Sequence, residues 1–169
     1  MSDFDKACDI ILLSEGLYSN DPDDAGGETK HGIADMRDGK RDGMTDVDGD
    51  GIPDTYIKDL TPAQGRIIYK RDYWDVCKCD QLAWPLNLFV FDAAVNQGEQ
   101  PAKKMLQRAL NVKQDGILGK ITMARAAKAD KEQICLFMAY RAQRYYGTRG
   151  YDKYGNGWLK RLFVLSLEA

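Results

Sequence analysis

The chain has little histidine and little cysteine: one His, His31, and four Cys in 169 residues. A catalytic zinc site needs several His or carboxylate ligands around an open position, so a zinc peptidase or amidase is not expected. Four cysteines are typical of a reducing compartment, and Cys77 and Cys79 are too close in sequence for an easy disulfide. We therefore expect buried thiols and a loop-packing role for His31.

The chain also lacks long apolar runs, since none approaches the roughly 18 residues of a membrane span. The N-terminus, MSDFDKACD, is acidic and has neither the basic region nor the cleavage site of a signal peptide. We therefore expect no membrane insertion, and a chain kept in the cytosol until another factor releases it. The hydrophobic content of 44% and charged content of 30% favour a globular protein over a disordered one.

Charge is divided unequally along the chain. Residues 1–100 hold 10 Lys+Arg against 21 Asp+Glu, whereas residues 101–169 hold 14 against 5. The pattern fits an acidic catalytic half and a basic half that approaches an anionic polymer, although one acidic insertion could explain most of it. The basic end is rich in tyrosine, but no nucleic-acid recognition motif accompanies it, so we expect no nucleic-acid partner.

Residues 15–33 read EGLYSNDPDDAGGETKHGI and carry the candidate chemistry. Apolar residues at helical spacing precede them, Ser2 is a plausible N-cap and Gly16 a plausible stop. Glu15 would then lie at the C-terminal end of a largely buried helix. Partial burial and the negative end of the helix dipole both disfavour its carboxylate, which suits a general acid.

Asp24 lies in a different kind of sequence, a turn-rich loop with Gly26 and Gly27. Exposure to water and backbone N–H groups favour its ionised form. One carboxyl biased neutral and one biased ionised is the arrangement that glycoside hydrolysis needs. Thr29 could orient a water molecule or a sugar hydroxyl between them.

This ordered set of Glu, Tyr, Asp-Pro, Asp, Gly-Gly, Thr and Gly-Ile resembles the signature of lysozyme-like endolysins of glycoside hydrolase family 108. These are phage muramidases that cleave the glycan strands of peptidoglycan. The resemblance continues in IIYKRDYW (67–74), FDAAVNQG (91–98), LQRALNVKQDGILGKIT (106–122) and GWLKR (157–161). One departure is Leu17, where the family often has a second glycine.

The resemblance implies a lysozyme-like hydrolase of bacteriophage origin that cleaves peptidoglycan between N-acetylmuramic acid and N-acetylglucosamine. Glu15 would be the catalytic acid, and Asp24 and Thr29 would take the roles of the Glu, Asp, Thr set of phage-type lysozymes. The protein would stay in the host cytoplasm until a holin releases it to the periplasm and cell wall, where it would lyse the host. An antimicrobial activity would follow.

Residues 35–59 are rich in Asp and Gly, and their centre reads DVDGDGIPD. This is the oxygen-donor spacing of an EF-hand-type calcium loop, with Gly51 at the tight turn. The candidate ligands are Asp46, Asp48, Asp50, the Ile52 carbonyl and Asp54. The twelfth place is Ile57 instead of Glu, so Asp59, Asp42 or water would complete the set. Because close carboxylates repel one another, we expect a structural calcium ion; the alternative is a solvated acidic turn.

Helical periodicity dominates the remaining sequence. Capping boxes are expected at Thr61–Gln64 and near Asp130, and residues 85–96 predict a central buried helix. Its polar members Asp92 and Asn96 must brace the core or line a cleft. We expect a mainly α fold of about seven helices in two lobes, with a small β or irregular element and the calcium loop beside the cleft.

We expect residues 1–98 to form the catalytic lobe, with the insertion at about 35–59, and residues 99–169 a helical lobe similar to peptidoglycan-binding modules. Tyr18, Asn96 and Gln97 are the candidates for substrate contact, and we expect a monomer. Two alternatives stay open. A lytic transglycosylase would cleave the same bond and leave anhydro-sugar ends, and a non-catalytic calcium-dependent wall-binding protein would retain binding without Glu15.

Overall fold

The computed structural model describes residues 1–14, 18–20, 27–35 and 39–168. Within these ranges the fold is mainly α, as expected, with the helices α1 (Asp3–Ser14), α2 (Pro62–Tyr69), α3 (Leu86–Gln97), α4 (Glu99–Ala109), α5 (Lys120–Ala126), α6 (Lys131–Tyr146) and α7 (Tyr151–Leu167). Short 3-10 turns cover Ile57–Asp59 and Cys79–Gln81, and a π-helical turn covers Lys70–Asp75. None of the helices described is long and apolar enough to cross a membrane.

Five two-residue strands form two small antiparallel sheets. The strands are β1 (Tyr18–Ser19), β2 (Thr29–Lys30), β3 (Ile33–Ala34), β4 (Met44–Thr45) and β5 (Thr55–Tyr56). One sheet has the order β1-β2-β3, and the other pairs β4 with β5. The sequence predicts a short hairpin near Gly32 and another element at the acidic loop, and both are present.

Chain contacts divide the molecule into two units. The hairpin unit comprises Cys8–Asp72, and the helical unit comprises Met1–Ala7 with Tyr73–Ala169. This boundary differs from the expected one at residue 98, because α3 packs mainly on α4 and so joins the helical unit. The assignment of catalysis to residues 1–98 stays a prediction.

Helix starts are encoded locally, as predicted. The Ser2 hydroxyl accepts a hydrogen bond from the Asp5 amide at 3.1 Å. Thr61 and Gln64 form a complete capping box with a proline in the first turn of α2, and Asp130 forms the same box with Gln133 at α6. Each box pairs N–H groups that have no partner inside the helix.

The core of the helical unit surrounds α3, which is buried along nearly all of its length. Phe4, Trp74 and Phe91 meet with ring centroids 5.3–6.0 Å apart. Edge-to-face contact of this kind adds to the stabilisation from apolar burial. The expected central buried helix is therefore present.

Asp92 of α3 is an ionic centre of the same core. Its carboxylate accepts hydrogen bonds from the fully buried Arg141 and, at 2.7 and 2.9 Å, from Arg161. Burial alone would raise the pKa of Asp92, but the two guanidinium charges and their hydrogen bonds outweigh it and hold the pKa below its ordinary value. Of the two roles considered for Asp92, the structure supports bracing of the core.

Three of the four cysteines are buried as expected, namely Cys8, Cys77 and Cys79. Burial raises the pKa of the Cys77 thiol to about 12, so it stays protonated and unreactive. The expectation was wrong for Cys135, which is exposed. Cys135 is on α6, where helical periodicity places it off the packed side.

Candidate active site

The first part of the site is the passage from α1 into the three-stranded sheet of the hairpin unit. The chain leaves α1 at Ser14 and enters β1 at Tyr18, and Glu15 lies in this interval, outside the described residues. Asp24 precedes β2 and is also outside them. The elements on both sides of the predicted acid and its partner are thus defined.

Thr29 is half-buried in the middle strand of this sheet. It pairs with Ser19 on β1 and with Ala34 on β3, so small side chains flank it on both sides. Its hydroxyl donates to the Gly27 carbonyl at 3.3 Å. The proton is therefore committed to the backbone, and the oxygen lone pairs remain available to accept a hydrogen bond.

Gly27, which precedes this strand, is held in a conformation that favours glycine. Its φ is +74°, and a Cβ there would lie 3.2 Å from Arg41 Nε and 3.4 Å from the Asp35 side chain. Asp35 is buried, and its carboxylate accepts from the Gly43 amide at 2.8 Å. Close packing and the positive φ together explain the glycine next to the predicted Asp24 loop.

Tyr18 has a carboxylate partner that sequence reasoning missed. Its hydroxyl donates to Glu28 Oε1 at 2.9 Å, while about half of the side chain stays exposed. The hydrogen bond and the negative charge of Glu28 raise the pKa of Tyr18. The strand register explains the contact, since Tyr18 lies opposite Lys30, two residues after Glu28, and strands of two residues carry no sequence signal for that register.

His31 turns the chain between β2 and β3. Its φ is +51°, its carbonyl accepts from the Tyr69 hydroxyl at 2.7 Å, and burial lowers its pKa, with Lys30 adding to the effect. Positive φ suits a tight hairpin turn. These contacts agree with a loop-packing role.

The second feature of the hairpin unit is the acidic loop between β4 and β5. Carboxylate oxygens of Asp46, Asp48 and Asp50 lie within 4.8 Å of one another. Asp54 instead accepts from the Val47 amide at 3.2 Å, and its oxygens fall outside this group. Ile57, at the twelfth place, is fully buried, and its hydrocarbon side chain has no donor atom for a metal.

Arg71 holds the same loop from outside. Its guanidinium donates to the Val47 and Asp46 carbonyls at 3.0 and 3.1 Å and pairs with Asp72. The hydrogen bond to Asp72 and, against the effect of burial, the negative charges of Asp72, Asp46 and Asp48 raise the pKa of Arg71 above its ordinary value. Arg71 thus fixes the loop through its backbone and also pairs with the Asp46 carboxylate at 3.7 Å, while the carboxylates of Asp48 and Asp50 face solvent.

The helical unit contains the other predicted substrate residues, Asn96 and Gln97. Both line a small pocket of about 210 Å³, together with Arg144, Tyr145, Thr148 and Trp158. The Asn96 amide donates to the Asp92 carbonyl at 2.9 Å, and Gln97 exchanges hydrogen bonds of 3.0 and 3.1 Å with Arg141. The Gln97 side chain is therefore engaged in hydrogen bonds with Arg141, whereas the side-chain carbonyl oxygen of Asn96 remains available to accept one.

Tyr145 gives this pocket an unusual polar atom. Its hydroxyl is the buried side-chain oxygen without a hydrogen-bond partner in the described part of the chain, and its ring stacks on Trp158 at 5.2 Å. Burial raises its pKa, and the nearby charge of Arg141 opposes that shift. A buried hydroxyl without a partner is costly, and a bound polar group or a water molecule would remove the cost.

Residues 8–98 match the family model described as Glycosyl hydrolase 108, which is more than half of the chain. The chain belongs to the glycosyl hydrolase 108 family. It is also similar to a solved structure titled "Structure of Brucella abortus SagA", with a TM-score of 0.80 and 28% identity over 96% of this chain and 90% of that chain. Comparison with curated proteins gives no sequence match.

Family membership makes the protein a glycoside hydrolase with a lysozyme-like fold that acts on peptidoglycan. The expected family, fold class and enzyme type are thereby confirmed. The individual roles of Glu15, Asp24, Thr29 and the substrate residues stay predictions, and so does calcium binding.

Proposed function

We propose that this family member is an N-acetylmuramidase that hydrolyses the β-1,4 bond between N-acetylmuramic acid and N-acetylglucosamine. The observation that carries the proposal is the ordered Glu15, Asp24 and Thr29 set inside the matched residues 8–98, with Thr29 on the central strand β2. A carboxylic acid, a carboxylate and a water-orienting group are the parts that this hydrolysis needs.

In the proposed mechanism, Glu15 donates its proton to the glycosidic oxygen as the bond to the leaving sugar breaks. Asp24 stabilises the oxocarbenium-like transition state or activates the attacking water. Thr29 accepts a hydrogen bond from that water, because its own proton is directed at Gly27. The course is retaining if the carboxyl groups are about 5–5.5 Å apart and inverting if they are about 6.5–9.5 Å apart.

Substrate contact would involve Tyr18 and Asn96. The Tyr18 ring is half exposed and anchored through Glu28, so it can stack on a sugar with little loss of side-chain freedom. The side-chain carbonyl oxygen of Asn96 can accept a hydrogen bond from the N–H of an N-acetyl group. Gln97 would chiefly hold Arg141 in place beside the pocket.

The test is Glu15→Gln, with Glu132→Gln on the exposed first turn of α6 as the matched control. Purified peptidoglycan is treated with each protein, and turbidity and new reducing ends are followed together. We expect the parent and the control to clear the wall and to make reducing ends, and Glu15→Gln to lose at least about 100-fold in rate. Clearing by Glu15→Gln at the parent rate would contradict the proposal.

The same digests separate hydrolysis from transglycosylation. A lytic transglycosylase needs only the acid and closes the muramic acid onto itself, so its products carry anhydro ends without new reducing ends. Mass spectrometry of the soluble products distinguishes them by one water molecule. Wall binding without either product would favour the non-catalytic alternative.

We also propose that the loop 46–54 binds a structural calcium ion. The support is the donor spacing, the clustered oxygens of Asp46, Asp48 and Asp50, and the positive φ of Gly49 and Gly51, near +89°. Arg71, 3.7 Å from the Asp46 carboxylate, offsets part of the repulsion among these three carboxylates, and a bound cation would offset the rest. The ion would brace the β4–β5 hairpin and would take no part in bond cleavage.

Calcium titration by calorimetry tests this proposal, with thermal unfolding in calcium and in chelator as the second readout. At 100 times Kd, calcium stabilises a folded protein by about 2.7 kcal/mol. We expect Asp48→Asn/Asp50→Asn to abolish both signals, and Asp152→Asn on α7 to retain them. Identical unfolding in calcium and in chelator would contradict calcium binding.

A role as a phage endolysin is a further part of the proposal, supported by the resemblance of the signature stretch. Expression in a bacterial host with and without a holin tests it. We expect rapid lysis only when the holin is present. Lysis at the same rate without a holin would contradict holin-dependent release.

A further inference from the structure

The helical unit carries a groove that the proposed chemistry does not use. It has a volume of about 720 Å³, within the ~300–1,000 Å³ typical of ligand sites. Lys104 and Arg108 of α4 and Arg144 of α6 line it, and among the residues that the structure describes no acidic side chain does. Gln100, Gln114 and Gln143 supply carboxamide groups. The lining is therefore cationic and rich in hydrogen-bond donors.

Arg108 is held in position before any ligand binds. Its guanidinium lies 3.9 Å from the centroid of the Tyr140 ring and donates to the Gln143 carboxamide oxygen at 3.1 Å. Cation–π contact and one hydrogen bond fix the plane of the group and leave its other N–H groups available. A fixed guanidinium loses little side-chain entropy when it binds a carboxylate.

The cations of the groove are not neutralised by the protein. Among the residues that the structure describes, no carboxylate forms an ion pair with Lys104, Arg108 or Arg144. Glu99, at the start of α4, pairs with the buried Lys103 instead. Three uncompensated positive charges thus surround the groove, and an anionic ligand would offset them.

The groove adjoins the small pocket that holds Asn96 and Gln97, because Arg144 and Thr148 line both. The Tyr140 ring, which could otherwise stack on a sugar or a base, has one face covered by Arg108. Carboxylates therefore suit the groove better than sugar rings or nucleobases do.

We propose that this groove binds the carboxylates of the peptide stem attached to muramic acid in peptidoglycan. The inference rests on the proposed function, since a sugar residue in the Asn96 pocket would direct its stem into the adjoining groove. Arg108 would take a carboxylate in bidentate fashion, and Lys104 and Arg144 would add charge. The groove would make the enzyme prefer stem-bearing strands to bare glycan.

The decisive experiment compares two substrates for each variant: intact peptidoglycan strands and strands stripped of their stems by an amidase. The readout is the ratio of the two kcat/KM values. For Lys104→Gln/Arg108→Gln we expect this ratio to fall about tenfold. The ratio for Arg108→Lys should lie between those of the parent and the double variant, because lysine keeps the charge but lacks the planar guanidinium that binds a carboxylate through two hydrogen bonds. Arg125→Gln/Lys128→Gln, which removes two exposed charges of the same unit outside the groove, should leave the ratio unchanged.

A binding arm works without catalysis. The tetrapeptide L-Ala-γ-D-Glu-L-Lys-D-Ala is titrated into isotope-labelled protein and followed by NMR, beside the same peptide with amidated carboxyl groups. We expect chemical-shift changes at groove residues with the acid peptide only. Binding of this peptide should weaken as the salt concentration rises. Circular dichroism confirms that each variant is folded.

The outcomes are distinguishable. An unchanged substrate ratio, or equal binding of the acid and amidated peptides, overturns the stem proposal and leaves the muramidase proposal intact. If the parent cleaves neither substrate but still binds the stem peptide, the muramidase proposal alone is overturned. Binding of a single-stranded oligonucleotide or of anionic vesicles that depends on Lys104 and Arg108, without peptide binding, would assign the groove to another partner.

Discussion

The two units of the molecule differ in charge and in the way their backbone is held. The hairpin unit carries 8 Lys+Arg against 15 Asp+Glu, a net charge of −7, whereas the helical unit carries 16 against 11, a net charge of +5. Strands in the hairpin unit have two residues each, while α6 and α7 have 16 and 17. The candidate catalytic residues and the acidic loop between β4 and β5 lie in the hairpin unit.

The difference shows two ways of fixing polar groups. In the hairpin unit, carboxylates of Asp35, Asp46 and Asp54 accept from backbone amides of loops, where strand pairing is too short to do so. In the helical unit, Asp92 is fixed by two arginines inside a packed core. We therefore expect mutations of ionic groups to be costly for folding in the helical unit, and mutations of loop backbone to be costly in the hairpin unit.

The largest expected effect is that of Asp92→Asn. It leaves Arg141, which is fully buried, without a full counter-charge, and breaking a buried ion pair costs about 3–5 kcal/mol. Urea unfolding at pH 7 measures the loss. The matched control is Asp9→Asn, which breaks the exposed pair with Arg66 in the hairpin unit and should cost less than about 1 kcal/mol. Equal losses of stability in the two variants would show that burial does not make the ion pair of the helical unit the more important one for folding.

The pH dependence of unfolding should report the same group. The folded-state pKa of Asp92 is lowered, so its contribution is present above the unfolded pKa of about 3.9 and is lost as pH falls through the folded value. The stability difference between the parent and Asp92→Asn should be constant from about pH 7 to pH 5 and shrink below about pH 4. A difference that grows with acid would contradict the assigned shift.

Most of the helices in both units were predictable from sequence because their signals are local. The Thr61 and Asp130 capping boxes and the apolar run of α3 need only a few neighbouring residues. The unit boundary was not predictable, because it depends on α3 packing against α4. Nor was the Tyr18–Glu28 bond, which depends on the register of strands only two residues long.

In the candidate site, too, local sequence patterns were predictable and long-range contacts were not. The ordered signature around Glu15 and Thr29 predicted the family, which the comparison confirmed, and the acidic spacing predicted a cluster of oxygens. Sequence did not predict Arg71 as the residue that holds the acidic loop. A contact between residues 25 positions apart has no local signal, since any of several cations could have made it.

A smaller effect is expected from Gly49→Ala in the acidic loop. The φ of +89° costs an L-residue about 1–2 kcal/mol, and the new Cβ would lie 2.7 Å from Arg71 Nη1, so Arg71 must shift. Gly51→Ala is the control, because its φ of +88° is alike and no atom lies within 4 Å of its Cβ position. We expect both variants to lose stability in urea unfolding, and Gly49→Ala to lose more. Equal losses would mean that the Arg71 contact contributes nothing.

The smallest expected effect comes from removing a capping box, a feature that both units contain. Thr61→Ala and Asp130→Ala each remove a capping-box side chain, and each should cost about 1 kcal/mol. Helix α2 has 8 residues before the π-helical turn Lys70–Asp75, whereas α6 has 16 residues of regular helix and buries Phe137, Arg141 and Tyr145. Amide exchange should therefore accelerate along the whole of α2 in Thr61→Ala, but only in the first turn of α6 in Asp130→Ala. Acceleration confined to the first turn in both variants would show that α2 is held as firmly as α6, and that the contrast between the units lies in charge alone.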